Sequence, residues 1–494
     1  MNVSTSRASY PVHAVRRHPS KTAASCYALL AGVLLLASAV AAPAPAHASL
    51  NPELTRYPYL TDVVGSNATV NFGTDTAKIS AVVKWGQVGV ESCNAHTATA
   101  TKTFIKVNGV GEYQWKAQLS PLQAGTSYCY RPYLGTSQTD LLGSDPTPQF
   151  SSQVPAGSTE RFSFAVIGDW GKTYATGNPD QANVMQQIAA SGARFVVGTG
   201  DTGYPAGSQT SYGDLQQSGQ DISAVFGPQY WTVVGKSMPM FNAIGNHAPT
   251  GTFLSNWPSD VVAAASGGQD QMASYCCFDG ITAKSYGTAW YAFDEGNARI
   301  YILDASWDPA NLGTGSQYQD DYDAHWAPGA QQDEYTWLQN DLAAHAGEVK
   351  FAVFHYPLHS DQSSQTSDTF LDGAGHLEGL LNQYHVAMAF NGHAHLYQRN
   401  TAPLGGIISY VTGGGGAALS KIGGGPGCAA TDAYGIGWSG SSGTGSSCGS
   451  APKPTSASQV YHFLLVTVNG NTVTVTPTDE LGRTFDVQTY NFGS

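Results

Sequence analysis

The sequence predicts an all-β sandwich of about one hundred residues followed by a larger α/β domain with added antiparallel strands. Three observations carry this expectation. From Ser49 to about Pro155, short β-rich runs alternate with turn residues and show no helical periodicity. Asp145-Pro146-Thr147-Pro148 through Pro155-Ala156-Gly157-Ser158 then reads as a linker. Beyond it, apolar strand-length runs alternate with amphipathic helical segments. Length agrees, because 494 residues exceed what one hydrophobic core usually fills.

In chain order, residues 1–48 come first. They hold Arg7, Arg16, Arg17 and Lys21 with no acidic residue, an apolar run from about Tyr27 to Val40, and Ala46-His47-Ala48 ahead of Ser49. That is the pattern of a signal peptide with an A-x-A cleavage site, so a secreted protein is expected. The apolar run is too short for an anchor, and no later segment reaches the roughly 20 apolar residues a span needs. Arg16-Arg17 matches a twin-arginine signal, but His18-Pro19 stands where that signal wants an apolar residue, and both export routes stay open.

The N-terminal domain is expected over 49–155, with strands at Ala68 to Phe72, Ile79 to Trp85, Thr103 to Val107, Tyr113 to Leu119 and Tyr128 to Tyr133. It contains no Asp/His/Cys cluster with ligand spacing, so a packing or docking role is expected of it. The second domain, 160–494, opens with the apolar strand Phe162 to Ile167 and a helix started by Pro179-Asp180, with Met185, Ile188 and Ala189 on one face. Strands follow at Phe195 to Gly198, Met240 to Ile244 and Ile300 to Leu303. Gln331 to His345 reads as a helix with Trp337, Leu338 and Leu342 inward, then Lys350 to Phe354 as a strand. A helix at His376 to Tyr384 precedes the strand Val386 to Phe390. The Gly/Ser-rich stretch of about 413–450 reads as a long surface loop, with two cysteines able to staple it. Tyr461 to Val468, Asn469-Gly470 and Thr472 to Thr476 form a hairpin signal.

Charge excludes some partners. Removing residues 1–48 takes four of the 22 basic residues and none of the 35 acidic ones, which changes the formal net charge from −13 to −17. Such a chain is a poor partner for nucleic acid or an anionic membrane. Cys93, Cys129, Cys276, Cys277, Cys428 and Cys448 then remain, an even set suited to disulfides in an oxidising compartment. Cys93 with Cys129, inside one small domain, is the best single pair, and the other pairings stay open.

Five short motifs sit at strand ends: Gly168-Asp169-Trp170-Gly171, Gly200-Asp201-Thr202-Gly203-Tyr204, Gly245-Asn246-His247, Phe354-His355-Tyr356-Pro357 and Gly392-His393-Ala394-His395. Loops beyond the carboxyl ends of strands are where ligands gather in an α/β sheet, so five polar clusters at equivalent ends can converge. Glycine heads four of the motifs, which suits a tight turn out of the strand. Singly each motif has a bland alternative: a capping carboxylate for a lone Gly-Asp, a satisfied core imidazole for His355, a packed aromatic for Tyr204. The ordered set of five is far more specific than any one of them.

On these motifs the sequence resembles the binuclear metallophosphoesterases, and within them the purple acid phosphatases. Arg56-Tyr57-Pro58-Tyr59-Leu60 and Leu122-Gln123-Ala124-Gly125-Thr126-Ser127-Tyr128 are similar to that family's fibronectin type III-like N-terminal domain. The wider superfamily has a histidine two residues after the first aspartate, where this chain has Gly171. The phosphatase subgroup has instead a tyrosine three residues after the second aspartate, where this chain has Tyr204.

The resemblance implies a metallophosphoesterase β-sandwich flanked by helices, holding two metal ions. It places Asp169, Tyr204 and His395 on one ion, Asn246, His355 and His393 on the other, and Asp201 between them. A phenolate with carboxylates suits Fe(III), whereas imidazoles and an amide oxygen suit divalent Zn, Fe or Mn. Three ligand charges against five metal charges, with a hydroxide, leave about +1, which draws an anionic phosphate ester to an acidic protein. The implied function is acid phosphomonoester hydrolysis by metal-activated hydroxide, with His247 as phosphate donor or proton source and His359 as a further pocket residue. Two departures accompany it: Ala248 replaces the acidic residue usual after the Asn-His pair, and where the family often has another pocket histidine well after the His355 position, this chain offers only His359 nearby. The alternatives are a diesterase or nucleotidase using the same metals, and a secreted binding protein with a vestigial site. Oligomeric state is not legible from the residues.

Overall fold

The computed structural model describes residues 50–76, 78–172, 177–205, 207–215, 225–227, 234–247, 251–259, 290–305, 333–367, 371–402, 406–423 and 427–493. The expected leader, Ala248, Cys276 and Cys277 lie outside these residues.

The N-terminal part is built from β1 Leu54–Val64, β2 Asn67–Thr74, β3 Ala81–Gln87, β4 His96–Val107, β5 Val110–Leu119, β6 Ser127–Leu134, β7 Thr139–Asp140 and β8 Gln149–Ser151. All pairings are antiparallel, in the order β1-β2-β5-β4-β3-β6-β7 with β8 on β6. β4 joins two half-sheets, because His96 to Thr99 pair with β3 while Ala100 to Val107 pair with β5. Cys93–Cys129 is a disulfide, as expected, and ties the segment before β4 to β6. β1 is absent from the expected strands for a physical reason. All of its residues are buried, so it lacks the alternation that marks a half-exposed strand.

The second part contains β9 Phe162–Ile167, α1 Pro179–Ala190, β10 Val196–Gly198, α2 Gln209–Tyr212, β11 Met240–Asn242, α3 Gly251–Asn256, β12 Tyr291–Glu295, β13 Ala298–Ile302, α4 Asp333–Ala344, β14 Val349–Val353, α5 Leu377–Gln383, β15 Met388–Asn391, β16 Tyr397–Asn400, β17 Ile408–Thr412, β18 Asp432–Ser439, β19 Thr444–Gly449, β20 His462–Asn469, β21 Thr472–Asp479 and β22 Gln488–Asn491. One sheet runs β11-β10-β9-β20-β21-β22 and the other β12-β13-β14-β15-β17-β16-β18-β19. Strands β9, β10 and β11 are parallel, as are β13, β14, β15 and β17, so the carboxyl ends of each set share one edge.

The two sheets face each other across Phe164, Phe195, Phe241, Phe293, Phe351, Phe390, Leu464 and Val466. Phe164 stacks on Phe195 at 5.2 Å between centroids and meets Phe351 edge-on at 5.5 Å. Truncating such a residue to alanine costs about 3–5 kcal/mol. Helices α4 and α5 cover the second sheet through Leu338, Leu342, Leu380 and Leu381. Helix α1 starts where Asn178 accepts from the Gln181 N–H and Pro179 fills the first turn. Its Val184, Met185 and Ile188 belong to a core that continues into Tyr57, Tyr59 and Trp115 of the N-terminal sheet. The result is an α/β fold, a two-sheet sandwich with helices on its faces.

The 413–450 stretch departs from expectation. Its second half is the hairpin β18–β19, which extends the second sheet, and Cys428–Cys448 closes the segment. Glycine and serine obscured an alternation of Tyr434, Ile436 and Trp438 that a strand requires. No helix among the described residues is long and apolar enough to cross a membrane.

Candidate metal centre

The parallel strands deliver their ends to one place. Asp169 follows β9, Asp201 follows β10, Asn246 follows β11, His355 follows β14, and His393 and His395 follow β15. Asp169, Asp201 and His355 offer ligand atoms within 4.8 Å of one another. The Tyr204 hydroxyl lies 3.1 Å from Asp169 Oδ1, 2.9 Å from Asp201 Oδ2 and 3.2 Å from His395 Nε2. On the other side, Asn246 Oδ1 lies 2.8 Å from His355 Nε2 and 3.1 Å from His393 Nδ1. Asp201 Oδ2 faces both groups, since it is also 3.5 Å from His355 Nε2.

Backbone geometry holds these side chains in place. Asp169, Asp201 and His393 adopt left-handed φ values of 55, 53 and 65°, each a cost of about 1–3 kcal/mol for a residue other than glycine. The sharp turn is therefore made by the polar residues themselves, and the preceding glycines mainly provide space. A Cβ on Gly245 would stand 2.3 Å from Asp201 N and Oδ1, and only Gly200, at φ +108°, needs glycine for its own backbone. Backbone donors aim the carboxylates: His393 N–H donates to Asp169 Oδ2 at 2.9 Å and His247 N–H to Asp201 Oδ1 at 2.8 Å. Asp169 Oδ1 and Asp201 Oδ2 are left facing the cluster.

The tautomers follow from the carbonyls behind the rings. His355 Nδ1 donates to Thr199 O at 3.0 Å and His395 Nδ1 to Ala418 O at 2.8 Å. The Nε2 lone pairs of the neutral rings then point at carboxylate, amide and phenol oxygens. Acceptors that converge this way need a cation or extra protons between them. Without a cation, protons serve: burial disfavours charging His355, but Asp201 outweighs it and pulls His355 up to about 9. Burial likewise opposes ionising Asp201, yet His355 and His247 hold its carboxyl well below the usual range. His395 is raised as Asp169 overcomes its burial, while burial and then His355 keep His393 neutral. Burial, Asp201 and Asp169 push the Tyr204 hydroxyl far above its ordinary value, so only a strongly charged ion in contact would free its proton. The donor set, with two groups of converging oxygen and nitrogen atoms on either side of Asp201, thus fits a two-cation site.

His247 stands at the rim, with a side chain 35% exposed. Its Nδ1 donates to Pro205 O at 2.6 Å and its ring lies 4.3 Å from the Tyr204 ring, which turns Nε2 inward to 3.9 Å from Asp201 Oδ2. His359 takes another direction, with Nε2 on Glu378 Oε1 at 2.9 Å and its carbonyl accepting from Asn400 Nδ2. Its contacts are those of a packing group that joins α5 to β16. Two neighbours lie outside the five motifs, Lys172 unremarked in the sequence and Trp257 within Ser255 to Asp279, a candidate pocket wall. Lys172 places Nζ 5.5 Å from the Tyr204 ring centroid. Trp257 Nε1 donates to Thr202 Oγ1 at 3.0 Å from a segment with no motif of its own.

Residues 162–397 match the calcineurin-like phosphoesterase family model. Purple acid phosphatase 23 of Arabidopsis thaliana is 25% identical over 263 residues, covering 45% of this chain and 52% of that protein. An acid phosphatase of Aspergillus ficuum is 23% identical over 409 residues, 63% of this chain and 64% of its own length. A probable inactive purple acid phosphatase of Arabidopsis thaliana is 26% identical over 425 residues, covering 75% of this chain and 62% of that protein. This chain thus spans between about half and two thirds of the length of these relatives. The solved structure of a purple acid phosphatase from yellow lupin seeds aligns with a TM-score of 0.62 at 18% identity, covering 89% of this chain and 75% of that one, which shows a shared fold.

Proposed function

We propose that this chain is a metallophosphoesterase, a secreted acid phosphatase that hydrolyses phosphate monoesters at a two-metal site. Asp169, Tyr204 and His395 would hold Fe(III), Asn246, His355 and His393 a divalent Zn, Fe or Mn, and Asp201 both. The observation that carries this reading is the position of Asp201 Oδ2, 2.9 Å from the Tyr204 hydroxyl and 3.5 Å from His355 Nε2. The N-terminal sheet is read as the fibronectin type III-like domain of such enzymes, and residues 1–48 as the leader that exports the chain.

Bound cations would supply Lewis-acid charge to the phosphoryl group and acidify water at the site. The chain's own groups do the rest. Backbone N–H donors fix Asp169 and Asp201 before substrate arrives, so no reorganisation is needed at the moment of reaction. Pro205 O fixes His247 Nδ1–H, which leaves Nε2 at the rim to give a proton to a departing alkoxide. His359, whose Nε2 is held by Glu378 Oε1, would support α5 and not the reacting groups.

The test combines elemental analysis with turnover of a nitrophenyl phosphate monoester and the corresponding diester. Two metals per chain and faster monoester cleavage are expected, with Asp201→Ala losing most of both metals. Preference for the diester would move the reading to a phosphodiesterase. Full metal without turnover of either ester would make the chain a binding protein, and one metal in the wild type would remove the two-ion assignment.

A further inference from the structure

Arg56 is the sole cation in β1, and its side chain is completely buried. A buried guanidinium requires partners for its donors, and here most of them come from the second part of the chain, between residues 209 and 256. Nε donates to Gly213 O at 3.0 Å, one terminal nitrogen to Asn256 Oδ1 at 2.7 Å and Gln114 Oε1 at 3.1 Å, and the other to Gln209 Oε1 at 2.8 Å. The Phe226 ring lies 4.6 Å from the guanidinium carbon. The neighbouring β1 residues add two bonds: Leu215 N–H donates to Thr55 O at 2.6 Å and the Tyr59 hydroxyl to Asn256 O at 2.7 Å.

What Arg56 grips forms the floor of the metal loops. Gly213 and Gln209 flank Tyr212, whose ring packs against Gly203 so closely that a Cβ there would stand 2.7 Å from it. Asn256 precedes Trp257, which donates to Thr202 and meets the Trp170 ring edge-on at 6.1 Å. Thr202 and Gly203 separate Asp201 from Tyr204, and Trp170 follows Asp169.

We propose that Arg56 is a positioning residue for the dimetal site, through which the N-terminal sheet sets the placement of Asp201 and Tyr204. The inference rests on the two-metal reading above and goes beyond it, because it makes the N-terminal sheet a working part of the centre and not a separate docking module.

Arg56→Met and Arg56→Lys are compared with Arg131→Met. Arg131 bonds Asp140, Asp145, Thr147 and Gly143, all within the N-terminal part. The readouts are zinc titration of the metal-free chain, kcat and KM on a nitrophenyl phosphate, and the thermal midpoint. A misplacement of about 1 Å at a reacting centre costs on the order of 10²-fold. Arg56→Met should therefore lower kcat by roughly that factor, with KM within about threefold, and should weaken zinc binding. Arg56→Lys, which keeps the charge and some of the bonds, should recover part of both. Arg131→Met should lose thermal stability while keeping kcat and zinc binding. Wild-type kcat and zinc affinity in folded Arg56→Met would overturn the proposal, as would equal losses in Arg131→Met. If Arg56→Met fails to fold, unchanged kcat and zinc affinity in Arg56→Lys and Gln209→Ala overturn it. A wild-type chain that binds none of zinc, iron and manganese removes the two-metal reading and this inference together, whereas metal held equally by wild type and variant removes the inference alone.

Discussion

His247 shows how one side chain's role can be separated from its neighbours'. Its Nδ1 is committed to Pro205 O and its ring to Tyr204, so Nε2 alone is available to a substrate. If that atom gives a proton to the leaving group, His247→Ala should keep its metals and slow alkyl phosphates by roughly 10²- to 10⁴-fold. Nitrophenyl esters should suffer far less, because their phenolates depart unaided. Equal losses on both ester classes, at matched metal content, would reduce His247 to a phosphate contact, and no loss on either would remove it from the site. The polar residues that gather at the strand ends were legible because they stand in five short motifs after apolar strands. Arg56 was not recognised as a site residue, although a lone arginine inside a buried run is itself a signal that something distant must accept its donors.

At the scale of elements, the stretch after β17 has two faces of consequence. Its backbone supports His395, since Ala418 O accepts from the ring and Ser420 N–H donates to His395 O. The hairpin β18–β19 supports it in turn, through Trp438 N–H on Ser420 O at 2.9 Å and Ile422 N–H on Ser446 Oγ at 2.9 Å. Cys428–Cys448 closes this unit across a sequence separation of 20, a loop whose restriction in the unfolded chain contributes about 3 kcal/mol. Replacing both cysteines by serine should lower the melting temperature by several degrees and leave the metal content at two per chain. Loss of a metal on that replacement would mean the hairpin fixes His395 more directly than these hydrogen bonds suggest. The hairpin was hidden in the sequence because glycine and serine weaken the β signal even where apolar residues alternate. Parallel strands β9, β10, β14 and β15 were legible to within a few residues, because burial on both faces leaves a mainly apolar run that stops at a polar motif, headed by glycine after β9, β10 and β15.

Across the whole molecule, buried carboxyl groups outside the metal centre set how stability responds to pH. Burial, and then Asp214, pushes Glu112 up to about 8. Burial raises Glu295 to about 7, and burial followed by Asp361 raises Asp432 to about 8. A carboxyl whose folded value is raised keeps its proton in the folded chain when the unfolded chain has released it. Its contribution is complete below about pH 4 and is lost as pH climbs through 7 to 8. His462 acts oppositely: burial depresses it to about 4, so its neutral folded form costs stability as pH falls below about 6.5. Outside the metal centre three carboxyls outweigh one imidazole, and within it His355, raised to about 9, offsets the depressed His393, so the metal-free chain should melt highest near pH 4 to 5 and lose several degrees by pH 8. The Asp432 carboxyl takes a hydrogen bond from Gln398 on Oδ1 and faces Asp361, whose Oδ2 accepts from Ala429 N–H at 2.6 Å. Asp432→Asn removes the charge that cannot be accommodated there and should flatten part of the decline between pH 5 and 8. A melting temperature that rises over this interval in the metal-free chain, or an Asp432→Asn profile parallel to the wild type, would show that these carboxyl groups do not govern the molecule's preference for acid.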